Sequence, residues 1–385
     1  MTNRIRVKDN KESQNRLFFK SDAASKIKMK YPHLQDDTLQ KKIALKKEFQ
    51  FFYDSGAKKD IVEEDKDGKL CSFKDFELAP HQQFVKSFMS RDTPYNGLLL
   101  YHGMGSGKTC SAIGICEEYR LSQKYNMHFK KILVIASKNV QENFKTQLVD
   151  MENMNLVNGV WNLGGCVGNS ILRELNLQEL KHLSKKELHQ KMMRFINKKY
   201  LFMGYEKLAN VINDLVVPTS KTKTRQQLRE FFQDRMIVVD EVHNVRTVDD
   251  NPKNKKVALA FKTLIKYVNY MKLLFLSGTP MYNDPTEIIF LLSLLNQNDR
   301  QSALKMSDIF DKQGHFIVGK NGEKIGENNL RMKANGYISY VRGENPFQFP
   351  FKLFPSDFSS SNSILQQSYP SKQFNTKAIR TPIQH

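Results

Sequence analysis

Three apolar runs in this chain each end in a cluster of small or acidic residues, and that arrangement leaves few folds open. Leu98-Leu99-Leu100-Tyr101 leads into His102-Gly103-Met104-Gly105-Ser106-Gly107-Lys108-Thr109. Met236-Ile237-Val238-Val239 leads into Asp240-Glu241-Val242-His243, and Leu273-Leu274-Phe275-Leu276 into Ser277-Gly278-Thr279-Pro280. Short continuous apolar runs separated by helix-length stretches read as strands buried on both faces of a parallel sheet. Ile132–Ala136 and Tyr200–Met203 fit the same alternation. Residues 76–295 are therefore expected to form one α/β domain around a central parallel sheet.

The first cluster has the chemistry of a phosphate loop. Its glycines let the backbone curl so that successive N–H groups point at phosphate oxygens, with a helix N-terminus behind them. His102, Gly103, Met104, Gly105, Ser106, Gly107, Lys108 and Thr109 are the candidate nucleotide-binding residues. Lys108 would reach the β- and γ-phosphates of ATP, and the Thr109 hydroxyl would ligate Mg²⁺. The general pattern wants glycine at the position of His102, a departure from a strict match. Asp240 is the second candidate Mg²⁺ ligand, and Glu241 is placed to orient and deprotonate the attacking water. Lys108, Asp240 and Glu241 are thus the candidate catalytic residues. His243 is expected to hydrogen-bond the small residues Ser277, Gly278 and Thr279, coupling the γ-phosphate to the rest of the molecule.

The formal net charge is +20. A basic excess of that size raises the local concentration of polyanions and supplies counterion-release binding to phosphate backbones. No apolar run approaches the ~20 residues of a membrane helix. The N-terminal residues Met1-Thr2-Asn3-Arg4-Ile5-Arg6 lack the apolar core of a secretory signal, so the expectation is an intracellular protein with no membrane partner. Cys71, Cys110, Cys116 and Cys166 form no CxxC pair and are expected as buried free thiols.

The flanks carry less information. Residues 1–75 read as a basic accessory segment with helical patches in Leu39–Phe52 and an acidic linker at Glu63–Asp67. Residues 175–199 read as a basic helical insert with Leu183, Leu188, Met192 and Phe195 on its buried side, and 218–225 as a polar basic loop open to nucleic acid. Gly319-Lys320-Asn321-Gly322 signals a hairpin turn within a post-domain linker region at 296–354, and 355–385 an irregular, disordered tail.

Gly-Ser-Gly-Lys-Thr, Asp-Glu-Val-His and Ser-Gly-Thr-Pro in this order resemble motifs I, II and III of superfamily 2 helicases and translocases. That resemblance implies a RecA-like P-loop NTPase domain that hydrolyses ATP on DNA or RNA. Leu78-Ala79-Pro80-His81-Gln82 resembles the Q motif, which makes Gln82 the adenine reader. Ala136-Ser137-Lys138 resembles motif Ia and Gly204-Tyr205 motif Ib, which implies nucleic-acid contacts at Ser137, Lys138, Gly204 and Tyr205. The stretches Met104–Thr109 and Ser277–Asn283 resemble Swi/Snf-like motors. These two, with Tyr340–Pro346, also resemble the helicase-like ATPases of large DNA viruses, namely the poxvirus-type early transcription factor and nucleoside triphosphatase I. That implies a transcription-linked viral role, residence in the virion or host cytoplasm, and RNA polymerase or transcription factors as partners.

A complete motor carries an arginine finger on a second RecA-like domain. After Pro280 the arginines are Arg300, Arg331, Arg342 and Arg380, none in a finger-like arrangement. The chain therefore reads as the first half of a helicase. Two alternatives stay open: a half-motor that is inactive without a second RecA-like domain on another chain, and the motor subunit of a restriction system.

Overall fold

A computed structural model describes residues 31–50, 78–124, 129–157, 160–167, 169–175, 180, 183–246, 252–281 and 287–341. The expectations for Glu63–Asp67, Cys71, Tyr282, Asn283, Arg342–Pro346 and the 355–385 tail fall outside these residues. In chain order the elements begin α1 (Leu39–Ala44), α2 (Pro80–Phe88), β1 (Gly97–His102), α3 (Lys108–Ser122), β2 (Ile132–Ile135), α4 (Lys138–Leu148), β3 (Asp150–Val157) and β4 (Val160–Gly164). Then follow α5 (Ser170–Glu174), α6 (Lys185–Lys199), β5 (Tyr200–Met203), α7 (Tyr205–Asp214), α8 (Lys221–Phe232) and β6 (Met236–Val239). The last are α9 (Pro252–Tyr267), β7 (Lys272–Ser277), α10 (Glu287–Asn298), α11 (Ile325–Ala334) and β8 (Ile338–Val341).

Six strands form one sheet in the order β5-β2-β6-β7-β1-β8, with every neighbouring pair parallel. The α/β architecture with a central parallel sheet expected from the sequence is present, and β5 and β6 have the expected bounds. The backbone groups of β1, β2, β6 and β7 satisfy one another across the sheet, so their side chains are free to be apolar on both faces. They are: Leu98–Leu100, Ile132–Ile135, Met236–Val239 and Leu273–Leu276 are all buried. Helix α10 is apolar nearly all round, and Ile288, Ile289, Leu291, Leu292, Leu294 and Leu295 are buried accordingly. Helix α6 opens on a capping box between Ser184 and Glu187 and buries Leu188, Met192 and Ile196, one stripe of a basic amphipathic helix. Leu183 and Phe195 pack beside that stripe, partly buried.

Several expectations need correction. The domain does not end at 295: α10 runs through that position, and β8 joins the central sheet beside β1. Strand β8 was illegible because Ile338-Ser339-Tyr340-Val341 is short and its apolar pattern is broken by Ser339. Around Gly319–Gly322 the chain turns, with Gly322 N–H donating to Gly319 O at 3.0 Å, but no strand pair flanks the turn; an isolated bridge joins Phe310 to Phe316 instead. Residues 31–50 are not a detached accessory segment. Tyr31, Leu34, Leu39, Ile43 and Phe49 sit in the core, and Asn335 Nδ2 donates to Leu34 O and Asp36 O, each at 2.8 Å.

The basic stretch after Pro218 is a helix rather than an open loop. Ser220 caps α8 by accepting the Lys223 N–H, and Thr224 is buried by bonds to the Val217 backbone. The thiol expectation fails for Cys110 and Cys166, which form a disulfide with their Cα atoms 5.1 Å apart. A separation of 56 residues hid the pair: Cys166 follows β4 in an insert, and its N–H bonds Gln147 O at the end of α4. Cys116 is a buried free thiol, as expected. The β3–β4 antiparallel hairpin had no counterpart in the sequence reading.

Candidate nucleotide site

Strand β1 ends at His102, and the chain crosses to α3 through Gly103–Gly107. Gly105 and Gly107 adopt φ of 73° and 75°, a left-handed backbone that glycine takes without steric cost. Gly107 needs glycine twice over, because a Cβ there would lie 2.3 Å from Gln82 Nε2. The loop braces itself through Ser106 Oγ, which donates to Gly103 O at 2.7 Å. Helix α2 braces it from outside. Gln82 Nε2 donates to Gly107 O at 3.2 Å, and His81 Nε2 meets Ser106 O at the same distance. The other amide atom of Gln82 accepts the Ala79 N–H at 2.8 Å, so this side chain is buried and committed to the loop.

Lys108 opens α3, and its Nζ donates to His102 O at 3.0 Å. The same Nζ would lie 3.0 Å from a Cβ placed on Gly278, so the lysine bridges the start of the loop and the turn after β7. Thr109 follows in the first turn of α3. The His102 imidazole does not line the loop as the motif reading implied. It is buried, its Nε2 lies 2.9 Å from Ser339 Oγ on β8, and its ring meets His81 edge-on at 5.8 Å. Burial, then the charges of His81 and Lys108, push its pKa down to about 4. Met104 projects from the loop and is 87% exposed.

Strand β6 delivers Asp240 and Glu241 to the same side of the sheet. The Asp240 N–H donates to Ile135 O at 3.0 Å, and its carboxylate accepts the Glu241 N–H at 2.9 Å. Burial pushes the Asp240 carboxyl up to about 6, the neighbouring Glu241 adds to the shift, and Lys108 opposes it. Glu241 takes a left-handed φ of 50°, unfavourable for a side chain of its size, and its carbonyl is clamped. Tyr205 Oη donates to Asp240 O and, at 3.3 Å, to Glu241 O; Asn244 Nδ2 donates to Glu241 O at 3.1 Å. His243 Nδ1 lies 3.0 Å from Ser277 Oγ and 3.2 Å from Glu241 Oε2, and Ser277 Oγ accepts the Thr279 N–H at 3.1 Å. The second and third clusters of the sequence therefore touch through His243 and Ser277.

The four candidate nucleic-acid residues separate. Ser137 and Gly204 are the N-caps of α4 and α7, at the C-terminal ends of neighbouring strands β2 and β5. Ser137 and Lys138 are exposed, and a Cβ on Gly204 would touch nothing within 4 Å. Tyr205 instead turns inward onto the acidic cluster. Its clamp, with those of His81, Asn244 and Ser339, was missed by the sequence reading. Only His81 had a signal, its place beside Gln82.

Among the described residues no cluster of three or more metal-ligating side chains occurs. The donor set still fits a phosphate-bound magnesium ion, which commonly takes one or two protein oxygens and keeps waters. Asp240 offers a buried carboxylate whose charge is under-compensated by the protein, and Thr109 a hydroxyl in the turn that follows Lys108.

A family model described as the SNF2-related domain matches residues 81–332. The chain is 27% identical over 347 residues to a protein of Acanthamoeba polyphaga mimivirus named for an ATP-dependent RNA helicase, covering 83% of this chain and 28% of that one. It is 26% identical over 266 residues to a protein of Frog virus 3 named for a helicase, covering 69% and 24%. A termination factor NPH-I homolog of African swine fever virus is 22% identical over 265 residues, covering 68% and 30%. The chain thus spans less than a third of the length of these three relatives. Among solved structures, the SWI2/SNF2 ATPase core of Sulfolobus solfataricus in complex with dsDNA aligns with a TM-score of 0.39 and 18% identity over 70% of this chain and 45% of that one. With the phosphate loop, the acidic strand end and the Ser277 turn brought to one side of one parallel sheet, and the family model spanning them all, the chain belongs to the SNF2-related domain family.

Proposed function

We propose that this chain is the ATP-binding half of a superfamily 2 motor that couples ATP hydrolysis to movement on DNA or RNA. The observation that carries the reading is the meeting of Lys108, buried Asp240 and the His243–Ser277 contact at the ends of β1, β6 and β7. Magnesium-bound ATP, held at Gly103–Thr109, supplies the scissile phosphoanhydride and part of the charge neutralisation. Lys108 leaves His102 O and pairs with the phosphates. Thr109 and Asp240 would hold the magnesium ion, which would supply charge neutralisation at the phosphates. Glu241, its backbone held by Tyr205 and Asn244, takes the proton of the attacking water. His243 passes the state of that carboxylate to Ser277, Gly278 and Thr279. Gln82 serves the nucleotide through the loop it braces; reading the adenine edge requires its amide to exchange the Gly107 bond for the base. Ser137, Lys138 and Gly204 are the proposed backbone contacts to the nucleic acid, with Tyr205 contributing through the acidic cluster.

Two readings of turnover lead to different outcomes in an assay. In the first, the chain hydrolyses ATP unaided. In the second, it holds ATP and turns over slowly until a second RecA-like domain supplies an arginine finger, a contribution of ~10³–10⁵ in rate. A transcription-linked viral role, with RNA polymerase or transcription factors as partners, is supported by the name of the African swine fever virus relative.

Steady-state ATP hydrolysis, with and without single-stranded DNA and RNA, tests the proposal beside Lys108→Ala and Glu241→Gln. ATP binding lost in Lys108→Ala and turnover lost in Glu241→Gln are the expected results. Normal hydrolysis by Lys108→Ala would sink the proposal. Addition of a separately expressed second RecA-like domain distinguishes the two readings of turnover.

A further inference from the structure

Strand β8 reaches the phosphate loop more closely than an edge strand needs to. Its register pairs Tyr101 with Tyr340 and His102 with Val341, and the first loop N–H, that of Gly103, donates to Val341 O at 3.0 Å. Beside that bond lies the His102 imidazole, fully buried, with Nε2 2.9 Å from Ser339 Oγ. Its Nδ1 has no hydrogen-bond partner among the described residues. Among the described residues the Ser339 hydroxyl is therefore the one hydrogen-bond partner of this buried ring. The backbone of the same histidine does a second job, since its carbonyl holds Lys108 Nζ at 3.0 Å.

We propose that Ser339 is a positioning residue of the nucleotide site: it fixes the His102 ring, and through it the residue that opens the phosphate loop and parks Lys108. Removing the hydroxyl leaves both ring nitrogens buried and unpaired, which costs at least the net worth of the bond. The ring escapes that cost by rotating toward water. His102 is the last residue of β1, so the rotation loosens the Gly103–Val341 bond and the Lys108 anchor together. The inference rests on the nucleotide reading above and deepens it, because it ties the loop to the strand from which the chain continues beyond Val341.

The test compares Ser339→Thr with Ser339→Val in the full chain. The two side chains share a shape and differ in the hydroxyl, so a fold that tolerates one tolerates the other. Amide hydrogen exchange is followed across residues 102–109 of the nucleotide-free protein, with β6 and β7 as internal references. Loss of one net hydrogen bond corresponds to about 3- to 10-fold. Exchange in the loop is expected to rise by that factor in Ser339→Val, to stay at the parent rate in Ser339→Thr, and to be unchanged in β6 and β7. Binding of fluorescent ADP with Mg²⁺ should weaken by a similar factor in Ser339→Val only, with KM rising more than kcat falls. Equal loop exchange in both variants overturns the proposal. Because that arm contains no nucleotide, a chain that fails to bind ADP sinks the functional reading and leaves this one standing or falling by its own result.

Discussion

At the scale of single residues, the site is built from groups that the fold would be more stable without. Asp240 has its pKa raised from 3.8 to about 6. For a carboxyl raised on folding, the folded state holds its proton more tightly, so stability falls as pH rises from 3.8 to about 6 and the full cost is present at neutral pH. Asp240→Asn keeps the acceptor for the Glu241 N–H and removes the charge. It should stabilise the nucleotide-free protein at pH 7 by roughly 1–3 kcal/mol in urea melts, abolish hydrolysis, and lose its advantage below pH 4. A variant less stable than the parent at pH 7 would contradict that account of Asp240. Gly107 is the opposite case, a residue whose lack of a side chain is the function. Gly107→Ala forces a Cβ into Gln82 and an alanine into φ +75°, so it should cost about 1–2 kcal/mol and remove detectable ATP binding in a fluorescence titration.

At the scale of elements, what was legible depended on how each element is stabilised. Strands β1, β2, β6 and β7 could be read because a parallel strand inside the sheet and covered on both faces is apolar almost throughout, and edge strand β5 because Tyr200-Leu201-Phe202-Met203 is an unbroken apolar run. The His243–Ser277 contact was foreseeable for the same reason: both residues sit at the ends of strands that are neighbours in the sheet. Strand β8 and residues 31–50 could not, because Ser339 and Tyr340 break the apolar pattern and Tyr31, Leu34 and Leu39 are core residues separated by polar ones. Nor does local sequence reveal that Ser220 begins a helix whose first turn is otherwise basic and polar. The Cys110–Cys166 bond depends on an insert folding back onto α3. By closing 56 residues of chain it should contribute roughly 2–4 kcal/mol. Dithiothreitol should lower the urea midpoint of the parent by a corresponding amount and leave a Cys166→Ser variant unchanged; equal shifts in both proteins would show that the bond is not formed in solution.

At the scale of the whole molecule, the net charge of +20 and the proposed polyanion partner make one prediction together. Affinity for single-stranded DNA or RNA should fall at least ~10-fold between 50 and 200 mM salt, with similar slopes for unrelated sequences, since contacts to phosphate dominate. Salt-independent binding in a filter or anisotropy assay would point away from backbone tracking. The strand order carries a different consequence, one of timing. Strand β1 is flanked by β7 and β8, both of which lie far downstream in the chain. A ribosome releases Leu98-Leu99-Leu100 and the glycine loop early, at ~5–20 residues per second, into a nascent chain that holds neither flanking strand. The loop is framed only when Val341 has emerged. Strand β1 has unpaired edges on both sides until β7 emerges, and one edge stays unpaired until β8 follows. Assembly of this site therefore waits for β8, and chaperone demand should peak in the interval between the exit of β1 and the exit of β8.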